Sequence, residues 1–176
     1  IDHALDSGAR IVALDQQTGN VLWQQDADYA AIEHHLYGFY ADKNFITVGS
    51  RNQAGENGKE TVWYDIHAMD AATGKTNWRA SQNNMTTAGG DHGEQDHHPL
   101  NVKDRLYVEP FAYDLKTGHR DYDWGWQRGH RGGCGTISAS SSAFFFRDRN
   151  AAMFEKKKKK HSAVTQVSRP GCWINM

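Results

Sequence analysis

The chain has 176 residues, a formal net charge of −1 and 38% hydrophobic residues, long enough for one domain with a real core. So even a charge balance excludes the strongly basic surface that nucleic acid or an anionic membrane calls for, and no run approaches the roughly 18 apolar residues of a membrane-spanning helix. Six tryptophans, seven tyrosines, seven phenylalanines and 17 glycines against three prolines suit an aromatic-rich, turn-rich β protein.

In chain order, the first predicted element is a hairpin over 9–26. Two short apolar runs flank the turn in Ala13-Leu14-Asp15-Gln16-Gln17-Thr18-Gly19-Asn20-Val21-Leu22-Trp23. Asp-x-x-Thr-Gly is turn chemistry: the carboxylate accepts from amides two or three residues on, and glycine supplies a positive φ. Residues 27–35, with Asp28, Glu33, His34 and His35, are polar and predict a crossing to a second unit. There, 36–41 and 45–50 predict strands joined at Asp42-Lys43-Asn44, 51–60 a surface loop, and 61–69 and 75–80 two further strands. The last two flank a second copy, Ala68-Met69-Asp70-Ala71-Ala72-Thr73-Gly74-Lys75-Thr76-Asn77-Trp78.

After a crossing at 81–98, the runs 100–102, 105–109, 111–115 and 119–126 predict a third unit. Its weaker copy begins Ala112-Tyr113-Asp114-Leu115-Lys116-Thr117-Gly118, places Tyr122 where the others have tryptophan, and has Trp124 two residues on. The runs 136–142, 143–146 and 151–154 predict three strands of a fourth unit. The aromatic set Tyr122, Trp124, Trp126, Phe144, Phe145 and Phe146 is expected in the core and between units. Lys156 to Lys160 stand where a fourth Asp-x-x-Thr-Gly turn is due. Five adjacent lysines repel one another, so a solvated loop is expected, with a polyanion or membrane-surface contact as the alternative.

The general pattern is A-x-D-x-x-T-G-x-x-x-W, starting at Ala13, Ala68 and Ala112, 55 and then 44 residues apart. Four-stranded units at such spacing predict an all-β chain, a partial β-propeller of antiparallel blades. The expected blades are 1–26 (partial), 36–80, 98–126 and 136–161 (partial), with 162–176 starting a further element. The opening at Ile1 without a charged-then-apolar leader, and the stop at Met176 in mid-element, read as a fragment of a longer parent or a chain whose signal was removed.

These repeats resemble the tryptophan-docking motif of pyrroloquinoline-quinone-type β-propellers, a family of quinoprotein alcohol and glucose dehydrogenases with non-catalytic relatives such as the outer-membrane assembly scaffold lipoprotein. The resemblance covers about 9–154. It implies that Ala13, Asp15, Gly19 and Trp23, then Ala68, Asp70, Gly74 and Trp78, then Ala112, Asp114, Gly118 and Trp124 (or Tyr122) join one blade to the next. Asp91 to Pro99, Gly132 to Gly135 and Arg169 to Asn175 are similar to segments of large bacterial proteins with quinoprotein-like repeats. That similarity implies a longer, exported parent, periplasmic or secreted, whose further blades, or another protein, are the partners.

The enzymes of this family hold quinone with calcium under two adjacent cysteines. Cys134 and Cys172 are 38 residues apart, and no segment matches the calcium ligands or the catalytic base. The favoured expectation is therefore a non-catalytic scaffold or binding module outside the cytoplasm. The alternative is part of an oxidoreductase using pyrroloquinoline quinone with calcium, or a transition metal. For the metal, His92, His97 and His98 with Glu94 and Asp96 mix imidazole and carboxylate among glycines, a donor set that suits zinc, copper or iron. The same residues also read as a hydrogen-bonded crossing, and His34, His35 and Glu33 lie in the equivalent crossing before it. Cys134 among glycines reads as a buried turn residue, a metal thiolate, or a disulfide partner of Cys172.

Overall fold

The computed structural model describes residues 8–32, 35–55, 58–87, 98–128, 136–168 and 170, with side chains throughout except at 84–87. Among the described residues there are thirteen strands and no helix, grouped in four antiparallel sheets whose strands follow one another in sequence. The chain divides into two compact units, one of residues 1–86 with 115–118, the other of 87–114 with 119–176.

The first unit holds two sheets. In the first, β1 (Ala9–Leu14) pairs with β2 (Val21–Ala27), Ala13 opposite Trp23. The second is β3 (Leu36–Ala41), β4 (Asn44–Ala54), β5 (Glu60–Asp70) and β6 (Thr76–Thr87), in that order. Alternation along β5 turns Val62, Tyr64, Ile66 and Ala68 inward, and the register sets Ile46 against Ala68 and Val48 against Ile66. Each such aliphatic side chain removed from water contributes roughly 1.5–3 kcal/mol. The β3–β4 hairpin closes on Asp42 and Lys43, with φ of 44° and 63°, the two left-handed residues that match the twist of paired strands. β4 extends past the expected 45–50 because Arg51 lies over the Trp63 ring at 5.5 Å and bridges Asp65 at 2.6 Å. The expected loop is thereby drawn into the ladder.

The second unit holds β7 (Leu100–Val102), β8 (Arg105–Val108) and β9 (Phe111–Asp114), then β10 (Ser138–Ala139), β11 (Ala143–Asp148), β12 (Asn150–Glu155) and β13 (Lys160–Ala163). Its core is aromatic: Tyr107, Trp126, Phe144, Phe146 and Phe154 with Ala112, Ile137 and Ala152. Tyr122 is 77% exposed, unlike the rest of the aromatic set, and stands near the guanidinium of Arg120. The fourth strand expected at 119–126 is reduced to a single bridge, Tyr113 to Arg120. Asp121 ends it: its carboxylate takes the amide of Asp123 at 3.0 Å and the guanidinium of Arg105, turning the chain away.

The lysine run is an exposed turn at Lys157 to Lys159, as expected of a solvated loop, and departs from that expectation at Lys156, which is partly buried, and at Lys160, which is exposed but opens β13. Residues 156–159 form the turn between β12 and β13, with Lys159 at φ 50°. Glu155 stands where the other turns have aspartate, Lys158 where they have threonine and Lys159 where they have glycine. The Lys158 ammonium meets the Glu155 carboxylate at 3.0 Å. Lys156 is partly buried: its ammonium donates to the Ser140 carbonyl at 2.9 Å and lies 5.0 Å from the centre of the Phe144 ring. Burial, then the nearby charges of Lys103 and Arg105, pull its pKa below the usual lysine value. A fourth copy of the repeat, Met153 to Ala163, is thus present under other residues.

Candidate functional site

The repeat carboxylates are used within their own turns. Asp15 accepts from the Gln17 amide at 3.1 Å, the Thr18 amide at 2.7 Å and the Thr18 hydroxyl at 2.7 Å. Asp70 accepts from the Ala72 amide at 3.1 Å, the Thr73 amide at 2.8 Å and the Thr73 hydroxyl at 2.8 Å. Bonds to the ionised form favour it, so the threonine hydroxyl first, with the amides, holds both carboxyls below the usual aspartate value. Gly19, Gly74 and Gly118 close the turns at φ of 72°, 74° and 70°.

Two of these turns receive a tryptophan. Trp23 donates its indole N–H to the Ala71 carbonyl at 2.9 Å, and its Cε3 lies 2.7 Å from where a Gly74 Cβ would stand. Trp78 donates to the Leu115 carbonyl at 2.9 Å, and its Cδ2 lies 2.5 Å from where a Gly118 Cβ would stand. Ala68 and Ala112 are buried, and Ala13 is partly exposed. In the third copy, Trp124 joins the aromatic core, 5.1 Å from the Tyr107 ring and 5.9 Å from Phe144. Trp126 is buried there too, donating to His161 Nε2 at 3.0 Å. That bond makes Nε2 an acceptor and leaves the ring proton on Nδ1.

The first unit has a cleft of about 590 Å³ walled by Ile11 of β1, the 25–32 stretch, β4, β5 and β6. Asp28, Tyr29, Asp65, His67, Arg79 and Ser81 bring its polar groups. Asp65 is held by Arg51 and by the Ser81 hydroxyl at 2.6 Å. His67 Nε2 shares a hydrogen bond of 2.8 Å with the Thr76 hydroxyl. Burial, and secondly the positive charge of Arg79, lower the His67 pKa, which favours the neutral ring. Arg79 is exposed, and the Tyr29 hydroxyl is buried without a hydrogen-bond partner among the described residues. Ile32 anchors the wall: a Cβ on Gly49 would meet its Cδ1 at 2.2 Å. This mixture of a cation, a neutral imidazole, hydroxyls and apolar wall suits binding through hydrogen bonds and shape. Its residues are scattered over five stretches of sequence, so no motif announces it.

Of the metal candidates, His92, Glu94, Asp96 and His97 lie outside the described residues, as do Glu33, His34, Cys134 and Cys172. His98 lines a small hole beside Leu100, Tyr107 and Trp126 in the second unit. His35 is tied to β4, its amide donating to the Ser50 hydroxyl at 3.2 Å. Among the described residues no group of three or more His, Cys, Asp or Glu is placed to hold a metal ion, and no helix is long and apolar enough to cross a membrane.

The family model described as outer membrane protein assembly factor BamB, built on the PQQ-type propeller repeat, matches residues 7–165. The chain belongs to this family. No curated protein matches it. The BamB-type match supports a propeller-type binding or scaffold module, in keeping with the all-β chain and its antiparallel sheets of two, four, three and four strands. The repeat carboxylates Asp15 and Asp70 are taken up by the amides and threonine hydroxyls of their own turns.

Proposed function

We propose that the chain is a non-catalytic scaffold or binding module that works outside the cytoplasm, in the assembly of outer membrane proteins named by its family. One observation carries this reading: in the first two copies the aspartate and the tryptophan that recur at fixed offsets are engaged in structure. Asp15 and Asp70 brace turns, and Trp23 and Trp78 sit on Gly74 and Gly118. In this reading Trp23 and Trp78 latch neighbouring blades, and the cleft beside Tyr29 and Arg79 meets the client or partner.

The test has two arms. Fractionation of the cells that make the protein is expected to find it in the periplasmic or secreted fraction, and recovery in the cytoplasm alone overturns the location. The purified chain, loaded with pyrroloquinoline quinone and calcium and offered alcohols or aldoses with a dye acceptor, is expected to reduce no dye above the protein-free blank. Quinone-dependent turnover, or a transition metal retained by the purified chain and lost in the double variant His92→Ala/His97→Ala, overturns the non-catalytic reading in favour of the oxidoreductase.

A further inference from the structure

In the second unit the Trp126 indole is bonded to His161 of β13, a partner that changes charge with pH. The two nitrogens are 3.0 Å apart, the ring centres 6.0 Å apart and the ring planes inclined by 24°. Rings so placed lie edge to edge in nearly one plane, which points the indole N–H along the Nε2 lone pair. Only the neutral imidazole has that lone pair, because both nitrogens of an imidazolium are donors. A protonated His161 would set N–H against N–H at the positive edge of the indole.

The bond ties two parts of this unit together. The stretch 119–128 is held beside the β7–β9 sheet by backbone bonds, from the Asp121 amide to the Ala112 carbonyl at 2.8 Å and from the Trp126 amide to the Pro110 carbonyl at 3.0 Å. The Arg128 guanidinium is held there too, by Glu109 at 3.0 Å. Across to the β12–β13 hairpin, the same stretch is tied by the Trp126–His161 bond and by the Lys159 ammonium on the Asp123 carbonyl, a longer contact of 3.4 Å. Trp126 is 7% exposed, so an indole N–H that loses His161 reaches water only if the side chain moves. His161 is exposed and takes up protons from solvent directly.

The rings packed on His161 from the other elements are uncharged. Phe154, its partner across β12, has its ring centre 4.9 Å away, and Phe146 of β11 is at 5.8 Å. A cation is attracted to the face of such a ring, so a protonated His161 can stay against Phe154 while Trp126 is let go. The charged side chains beside these contacts are Lys160 on β13, Glu155 on β12, Arg147 on β11, and Asp123 and Arg128 on the 119–128 stretch. Glu155 is paired with Lys158, and Arg128 with Glu109. At the position of His161 the first three repeats carry Val21, Thr76 and Arg120, so among the repeats the imidazole belongs to the fourth alone.

We propose that Trp126 and His161 form an acid-released latch: the neutral imidazole holds the 119–128 stretch to the β12–β13 hairpin, and protonation of His161 frees it.

Nuclear magnetic resonance of the intact chain tests the latch. The Trp126 indole N–H is identified by cross-relaxation with the Phe146 ring, 5.1 Å away, and followed together with the His161 ring protons. The pH is lowered through the range in which imidazoles protonate. The Trp126 signal is expected to move upfield, and its exchange with water to quicken about tenfold, at the midpoint of the His161 titration. His161→Gln offers an acceptor that does not titrate and is expected to hold the Trp126 signal in its bonded position throughout. His161→Phe keeps a ring against Phe154 without an acceptor and is expected to show the released signal at every pH. Glu155→Gln is expected to leave the transition as it is in the parent protein. A Trp126 signal that stays in place while His161 titrates overturns the latch. So does a shift with the same midpoint in His161→Gln, or a transition abolished by Glu155→Gln, which makes that carboxylate the source.

Discussion

The ring of Trp78 lies so close on Gly118 that a Cβ there would stand 2.5 Å from the indole, while its N–H donates to Leu115 at 2.9 Å. Glycine is required twice over, by contact and by its φ of 70°. Trp78→Ala is expected to cost about 3–5 kcal/mol of unfolding free energy, the usual range for emptying an aromatic site. Trp78→Phe keeps much of the ring and loses the hydrogen bond, whose loss costs about 1 kcal/mol. Urea unfolding followed by near-ultraviolet circular dichroism measures both, and a Trp78→Ala loss under about 1 kcal/mol contradicts a holding role.

The brace at Asp70 titrates. Its folded pKa is lowered from 3.8, first by the Thr73 hydroxyl, so the folded state favours the carboxylate. The stability it adds is fully present above the unfolded value of 3.8 and is lost as pH falls through the lower folded value. Asp70→Asn is therefore expected to lower the urea midpoint at neutral pH. The gap from the parent protein should close in strong acid. A gap independent of pH rules out the carboxylate as the cause.

In the second unit Glu109 and Arg128 form a buried ion pair, with the guanidinium Nε at 3.0 Å and the Arg128 amide at 2.6 Å from the carboxylate. Removing one partner of a buried pair leaves an uncompensated charge and costs about 3–5 kcal/mol. Glu109→Ala is expected in that range. The double change Glu109→Ala/Arg128→Met should recover part of the loss, because no charge is then stranded. Denaturant titration of both proteins decides.

How far the sequence revealed this molecule depends on how local the chemistry was. Asp15 and Asp70 bond residues two and three along, so their turns were legible without the fold, and so was the hairpin at Asp42 and Lys43. The strand lost at Asp121 was not, because the side chain that ends it answers to Arg105, sixteen residues away. The cleft was not legible either: Tyr29, His67 and Arg79 meet only after two sheets have formed. The fourth repeat was hidden for a different reason. Its geometry is kept by residues of other types, so it shows as spacing (Met153 follows Ala112 by 41 positions) and not as identity.

His67 gives the cleft a pH dependence of its own. Its folded pKa lies below 6.5, chiefly through burial and then through Arg79. On acidification below 6.5 the unfolded chain takes up the proton first, so folding weakens until the lower folded value is passed, after which the penalty stays constant. His67→Gln keeps a partner for Thr76 and is expected to flatten this part of the stability profile. Comparing urea midpoints of the two proteins between neutral and mildly acidic pH measures the difference, and parallel profiles count against the cleft histidine as the source.

The most direct check of the hidden repeat is to write it back in. Lys159 holds φ 50° where the other three turns place glycine, and a left-handed backbone costs a side-chain-bearing residue about 1–2 kcal/mol. Glycine also loses more backbone freedom on folding, by roughly 0.5–1 kcal/mol. The two effects oppose one another, and the strain is the larger, so Lys159→Gly is expected to stabilise by up to about 1 kcal/mol. Glu155→Asp with Lys158→Thr would replace the exposed ion pair by the hydroxyl and amide bonds seen at Asp70, which salt does not screen. The triple variant should therefore unfold at higher urea than the parent, by a margin that widens at high ionic strength. Lys156 is left in place in this design, because its ammonium is bonded to Ser140 and lies over Phe144. If Lys159→Gly lowers the midpoint while Lys156→Ala leaves it unchanged, residues 156–159 are an ordinary exposed loop and the fourth repeat is one in spacing only.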